Sequence, residues 1–320
     1  MTNVTSRRVL QLGLIGAVLL APSLESQRLR TPAKLTVMSD GHALALWMRG
    51  APTPKGAIVL LHGRTWSSLP DFDLQVSGES LSVMQALVRR GYTVYALDAR
   101  GYGATLRDST GWLTPNRAAS DVANVLKFVA ARHPRLPPPT LVGWSYGSMV
   151  AHLTLQQNPS LASAVVLFGY PWNPDAAVRP AADSASAAAM RTAAGRPPRE
   201  ANTAKNAASD FIAPNAISPR AVDAYVAAAL KADPVRADWT ALQEWNQLSA
   251  AALKVPVLLA HGELDPYAPV ASQAKSFAQF GSADRQWIIL AGGDHAALLE
   301  KTLPAFIAAI VNFIERPGAR

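Results

Sequence analysis

The 320-residue chain has no cysteine. Disulfides, thiolate metal sites and a cysteine nucleophile are therefore excluded together. Charge is sparse as well, at 16% of residues against 49% hydrophobic, a balance too apolar for a disordered polypeptide and suited to a packed core. No Lys/Arg-rich run and no basic stripe interleaved with aromatics is present. The formal charge of +8 and the pI near 9.9 thus read as solubility, and nucleic acid is not an expected partner. No internal repeat appears. Length alone allows one large domain or two modest ones, so the motifs must decide.

What is present begins at the N-terminus. Arg7 and Arg8 precede an apolar run from Val9 to Ala21, short of the ~20 residues of a membrane span and typical of a signal-peptide core. The string Ser6-Arg7-Arg8-Val9-Leu10-Gln11 resembles a twin-arginine export signal, which implies a folded protein sent across a bacterial inner membrane. Residues 1–26 are read as a signal peptide, with small residues at Ala21, Ser23 or Ser26 for cleavage, or as a retained inner-membrane anchor. The expectation is a periplasmic or secreted protein, with membrane contact only if the segment is kept.

From residue 27 the chain alternates short apolar runs with longer amphipathic segments, the signature of an α/β protein with a mostly parallel sheet covered by helices. Residues 35–38 and 44–48 read as an opening strand pair. Residues 57–61, 92–97, 140–144 and 164–168 read as strands buried on both faces. Helical spacing places Leu81, Met84, Leu87 and Val88 on one face, and Val122, Val125, Leu126 and Val129 on another. Between 171 and 253 the composition turns to Ala and Pro, with a helical stretch at 218–232 and no clear strand. The alternation then resumes with strands at 255–259 and 286–290 and helices at 271–280 and 298–314. This divides the chain into a core of 27–170 and 254–320 and an inserted helical region of 171–253. The stretch 181–208 is the one low-complexity segment, expected to be mobile or loosely helical.

Gly143-Trp144-Ser145-Tyr146-Gly147 follows an apolar strand and opens a helix. A serine on such a sharp turn is exposed, the flanking glycines permit close approach of neighbouring backbone, and the Tyr146 N–H faces the place where an acyl oxygen would turn negative. A serine hydroxyl needs a base. Of six histidines, His295 sits on the loop after the final strand, at the same sheet edge as Ser145. His62 and His261 read as turn supports, and His42, His133 and His152 as ordinary core or surface residues. The imidazole in turn needs an acid. Asp265, on the loop after the preceding strand, is the choice, with Glu263, Asp175 and Asp294 as rivals.

The order Ser145, Asp265, His295 resembles the α/β-hydrolase superfamily. Leu60-Leu61-His62-Gly63-Arg64 is similar to its oxyanion loop, and Asp98-Ala99-Arg100-Gly101-Tyr102-Gly103 to the turn after its fourth strand. The resemblance covers residues 35–315. It implies an eight-stranded sheet, a helical cap at 171–253, and an oxyanion hole from the N–H groups of Tyr146 and Arg64, with Thr65 or Trp66 as replacements for Arg64. Trp66, Trp144 and Trp172, with Tyr102, Tyr146 and Tyr170, border the expected site and suggest an aromatic acyl pocket. Trp239 and Trp245 are expected to form a small core of the cap.

The implied reaction is hydrolysis of a small carboxylic ester or lactone, or secondly an amide or peptide, without a cofactor or metal. Ser145 in place of aspartate argues against halide release or epoxide opening. The Gly-Gly-Pro run expected of a proline aminopeptidase is missing after His62. A non-catalytic ligand receptor on the same fold is the rival from another class.

Overall fold

The apolar runs pair into one eight-stranded sheet in the computed structural model, which describes Met1, residues 32–176 and residues 197–316. The expected export segment, apart from Met1, lies outside the described residues, as do 177–196 of the inserted region. All the elements below belong to the unit Pro32–Arg320. The strands are β1 (Ala33–Ser39), β2 (His42–Arg49), β3 (Gly56–Leu61), β4 (Tyr92–Leu97), β6 (Thr140–Trp144), β7 (Ala164–Phe168), β9 (Val257–Gly262) and β10 (Arg285–Leu290), in the order β1-β2-β4-β3-β6-β7-β9-β10. β2 is antiparallel to both β1 and β4, and every other pair is parallel. A two-residue β5 (Trp112–Leu113) pairs instead with β8 (Asp238–Trp239), a strand inside the region expected to have none.

Strand alternation divides the core between the two faces of the sheet. Ile58 and Leu60 of β3 pack with helices α2 (Val83–Arg89) and α8 (Leu303–Glu315), through Met84, Leu87, Phe306 and Ile310. Ala57, Val59 and Leu61 pack with α3 (Pro115–Arg132) and α4 (Tyr146–Gln157), through Val125, Leu126, Val129 and Leu153. With both faces covered, the central strands are fully apolar, which is why they read as continuous runs rather than alternating ones.

The inserted region carries α5 (Ala204–Ala208) and α6 (Pro219–Ala232). α6 is locally specified: the Ser218 hydroxyl accepts from the Ala221 N–H at 3.1 Å, Pro219 occupies the first turn, and Ala221, Tyr225 and Ala229 line up at four-residue spacing on the buried face. Two further α-helices are a five-residue α1 (Ser68–Phe72) and α7 (Val270–Gln279). The final helix begins at Leu303 rather than at 298. Residues 294–302 are held in turns, with the Glu300 carboxyl oxygen accepting from the Asp294 N–H at 3.1 Å and the Thr302 hydroxyl donating to the Ala297 carbonyl at 2.6 Å.

Candidate active site

Ser145 closes β6 and opens α4 with φ +55° and ψ −123°, the left-handed side of backbone space that a residue with a Cβ rarely adopts. The turn is pinned by its own N–H, which donates to the Phe168 carbonyl of β7 at 2.9 Å. Its glycines are required sterically. A Cβ on Gly143 would lie 2.3 Å from the Gly147 carbonyl oxygen, and one on Gly147 would lie 2.4 Å from that of Leu61.

The loops after β9 and β10 bring the acid and base together. His295 Nδ1 lies 2.9 Å from Asp265 Oδ2, while Asp265 Oδ1 accepts from the N–H groups of Tyr267 at 2.9 Å and Ala268 at 3.3 Å. Both residues are 5% exposed, so the hydrogen bond is shielded from water. A carboxylate at Nδ1 assigns the proton to that nitrogen and leaves Nε2 to act as a base. The His295 ring is held by the Tyr267 ring at 4.8 Å and the Trp144 ring at 5.5 Å, and the Trp144 indole N–H donates to the His295 carbonyl at 2.8 Å. Gly169, after β7, went unremarked in the sequence although it underlies the pair. It sits at φ +53° directly against the His295 ring and the Asp265 carboxyl.

Ser145 and His295 open on one cleft of about 270 Å³, together with Gly63, Arg64, Trp66, Trp144 and Tyr146. Trp172 does not border it; its ring packs on Tyr170 and His152, at 6.0 and 6.2 Å. Trp66 is 2% exposed and forms wall rather than a free contact. The Tyr146 N–H is the first of α4, where no intrahelical acceptor exists. The Arg64 carbonyl accepts from the Tyr102 hydroxyl, and the Arg64 guanidinium stacks over the Tyr146 ring at 5.2 Å. Two carboxyls also line the cleft, Asp71 and Asp210, neither of which carries a motif. Burial pushes Asp71 well above the usual carboxylate range and Asp210 up to about 6. A cleft with these groups is more polar than the aromatic acyl pocket that the sequence suggested.

The other acids and histidines have partners elsewhere. Glu263 accepts from the Gly292 N–H at 2.8 Å, Asp175 pairs with Lys275, and Asp294 accepts from the N–H groups of Ile212, Ala213 and Ala296. His62 bonds the Gly63 carbonyl at 2.8 Å and the Ala99 N–H at 3.1 Å, and His261 bonds the Gly262 carbonyl at 2.8 Å. His152 bonds the Tyr170 hydroxyl, His133 the Tyr95 hydroxyl, and His42 the Leu106 carbonyl. Trp239 and Trp245 pack on the Ser145 turn rather than on one another alone, meeting the Tyr146 ring edge-on at 5.3 and 5.5 Å.

The profile of the serine aminopeptidase S33 family matches residues 52–302, a span that contains Ser145, Asp265 and His295. The chain belongs to that family. It is 26% identical over 271 residues to a monoacylglycerol lipase of Mycolicibacterium smegmatis, an alignment covering 82% of this chain and 88% of the lipase. Its fold matches a thioesterase domain from the curacin biosynthetic pathway with a TM-score of 0.63 at 17% identity, covering 88% of this chain and 100% of that one. It also matches a thermophilic esterase from Thermogutta terrifontis, with a TM-score of 0.63 at 15% identity over 88% of this chain and 98% of that one. The fold is that of the α/β hydrolases.

Proposed function

We propose that the chain hydrolyses a small carboxylic ester or lactone through an acyl-enzyme on Ser145. The observation that carries this reading is the convergence on one cleft of a strained, half-buried serine and a buried His295–Asp265 pair. His295 Nε2 takes the proton of Ser145 Oγ, which attacks the carbonyl carbon. The Tyr146 and Arg64 backbone N–H groups receive the developing oxyanion. The tetrahedral species collapses, the alcohol leaves with the proton returned by His295, and a water activated by the same nitrogen releases the acid. Asp265 holds the ring and stabilises the imidazolium throughout. The name of the monoacylglycerol lipase to which the chain is similar supports an ester.

A second reading, hydrolysis of an aminoacyl amide, is favoured by Asp210 in the cleft, since a carboxylate there would face the ammonium group of such a substrate. A fluorophosphonate probe tests the shared chemistry: the wild type should label and Ser145→Ala should not, whereas equal labelling of both sinks the assignment. Asp265→Asn should lower kcat by roughly 10⁴-fold while Glu263→Gln stays close to wild type. p-Nitrophenyl esters of graded chain length, set against amino-acid p-nitroanilides, separate the two readings.

A further inference from the structure

One helix of the inserted region grips the loop expected to supply half of the oxyanion hole, and it does so through two buried carboxyl groups. In the middle of α6, the Tyr225 hydroxyl donates to Asp71 Oδ1 at 3.0 Å, and Asp71 Oδ2 accepts from the Gly63 N–H at 3.4 Å. At the end of α6, Asp233 accepts from the Ser67 N–H and from the Gly103 N–H, both at 2.8 Å. Residues 63–67 are thus fastened at each end to the same helix. Tyr225 and Asp71 are 0% exposed, Asp233 3% and Ser67 1%, so water does not compete for these bonds. The loop stands against the nucleophile: a Cβ on Gly63 would lie 3.5 Å from that of Ser145.

We propose that Asp71 is a positioning residue, transmitting the placement of α6 through Tyr225 to Gly63 and so aligning the loop's N–H groups with the oxyanion formed at Ser145. The assignment rests on the serine-hydrolase reading. Oxyanion donors act only near 2.7–3.1 Å from the developing charge, and a displacement of about 1 Å at a reacting centre costs on the order of 100-fold in rate. A loop that is released without being unfolded therefore loses rate rather than binding. Burial, the largest influence on Asp71, raises it well above the usual carboxylate range. Asparagine has the same shape and keeps an oxygen for the Gly63 N–H, while its amide N–H can bond the Tyr225 hydroxyl with the direction of that bond reversed.

The test compares Asp71→Ala, Asp71→Asn and Tyr225→Phe with wild type in fluorophosphonate labelling rate, in kcat and KM on a p-nitrophenyl ester, and in melting temperature. Asp71→Ala should lower kcat and the labelling rate roughly 10- to 100-fold with KM little changed. Asp71→Asn should recover most of that rate, and Tyr225→Phe should lose several-fold. Unaltered labelling and kcat in Asp71→Ala would overturn the assignment. So would an equal loss in the Ala and Asn variants that tracks their melting temperatures, which is the pattern of a merely structural residue. Should Asp71→Ala fail to fold, Tyr225→Phe decides on the same readouts. A wild type that neither labels nor turns over instead overturns the serine-hydrolase reading.

Discussion

A methyl group on Gly169 would stand 3.1 Å from both Nδ1 and Cε1 of His295 and 3.2 Å from Asp265 Oδ2, on a backbone at φ +53°. All of these contacts are tighter than an ordinary van der Waals approach, and the backbone angle disfavours any Cβ. Gly169→Ala is therefore expected to tilt the imidazole and lower kcat by about 10-fold or more, with KM near wild type. Steady-state kinetics on a p-nitrophenyl ester would check this, and an unchanged kcat would mean that the pair tolerates displacement. Ser145, His295 and Asp265 were legible in the sequence because each lies just past an apolar strand. Chain order and sheet topology then place strand ends together. Gly169 lies just past β7 in the same way, and its position was the available signal. Asp71 and Asp210 gave none: they reach the cleft from α1 and from the end of α5, through packing that no local pattern encodes.

Among elements, β1, the turn after β4, and α3 are fastened by one buried ion pair. Arg100, 4% exposed, donates through Nε and Nη2 to the two Asp121 carboxylate oxygens at 2.7 and 2.8 Å, and through Nη2 to the Ser39 carbonyl at 3.0 Å. The Ser39 hydroxyl completes the set by donating to Asp121 Oδ1 at 2.6 Å. Removing one partner strands the other charge in the core. Arg100→Met should therefore cost about 3–5 kcal/mol, read as a lowered denaturant midpoint, with the activity of the remaining folded protein close to wild type. An unshifted midpoint would show that Asp121 finds another partner. The eight long strands and the four longest helices were legible from periodicity and caps. α1, β5 and β8, at five and two residues, were not, because elements so short exist only through tertiary contacts such as the Asp98 carboxylate accepting from the Ser68 N–H at 3.0 Å.

At the scale of the whole molecule, the response to pH is set partly by a carboxyl outside the proposed triad. Burial, reinforced by the neighbouring Asp294, pushes Glu300 up to about 8. An unfolded glutamate titrates near ~4.3, so between the two values the folded chain holds a proton that the unfolded chain has released. Stability must then fall as pH rises through that window. Glu300→Gln cannot ionise, and its melting temperature should decline less than that of wild type between about pH 5 and pH 8. Parallel curves would show that Glu300 is already ionised in the folded protein.

The conformation of Ser145 has a bearing on the molecule beyond its chemistry. A non-glycine residue at such angles costs about 1–3 kcal/mol, a sizeable part of the 5–15 kcal/mol that separates a folded domain from its unfolded chain. Packing on both faces of the sheet is what keeps Ser145 in that posture. Natural variation that weakens either face would be felt first as lost tolerance to further mutation, while the site itself kept its shape. Drift in the distant core and retention of activity at the turn are thereby drawn from one common reserve.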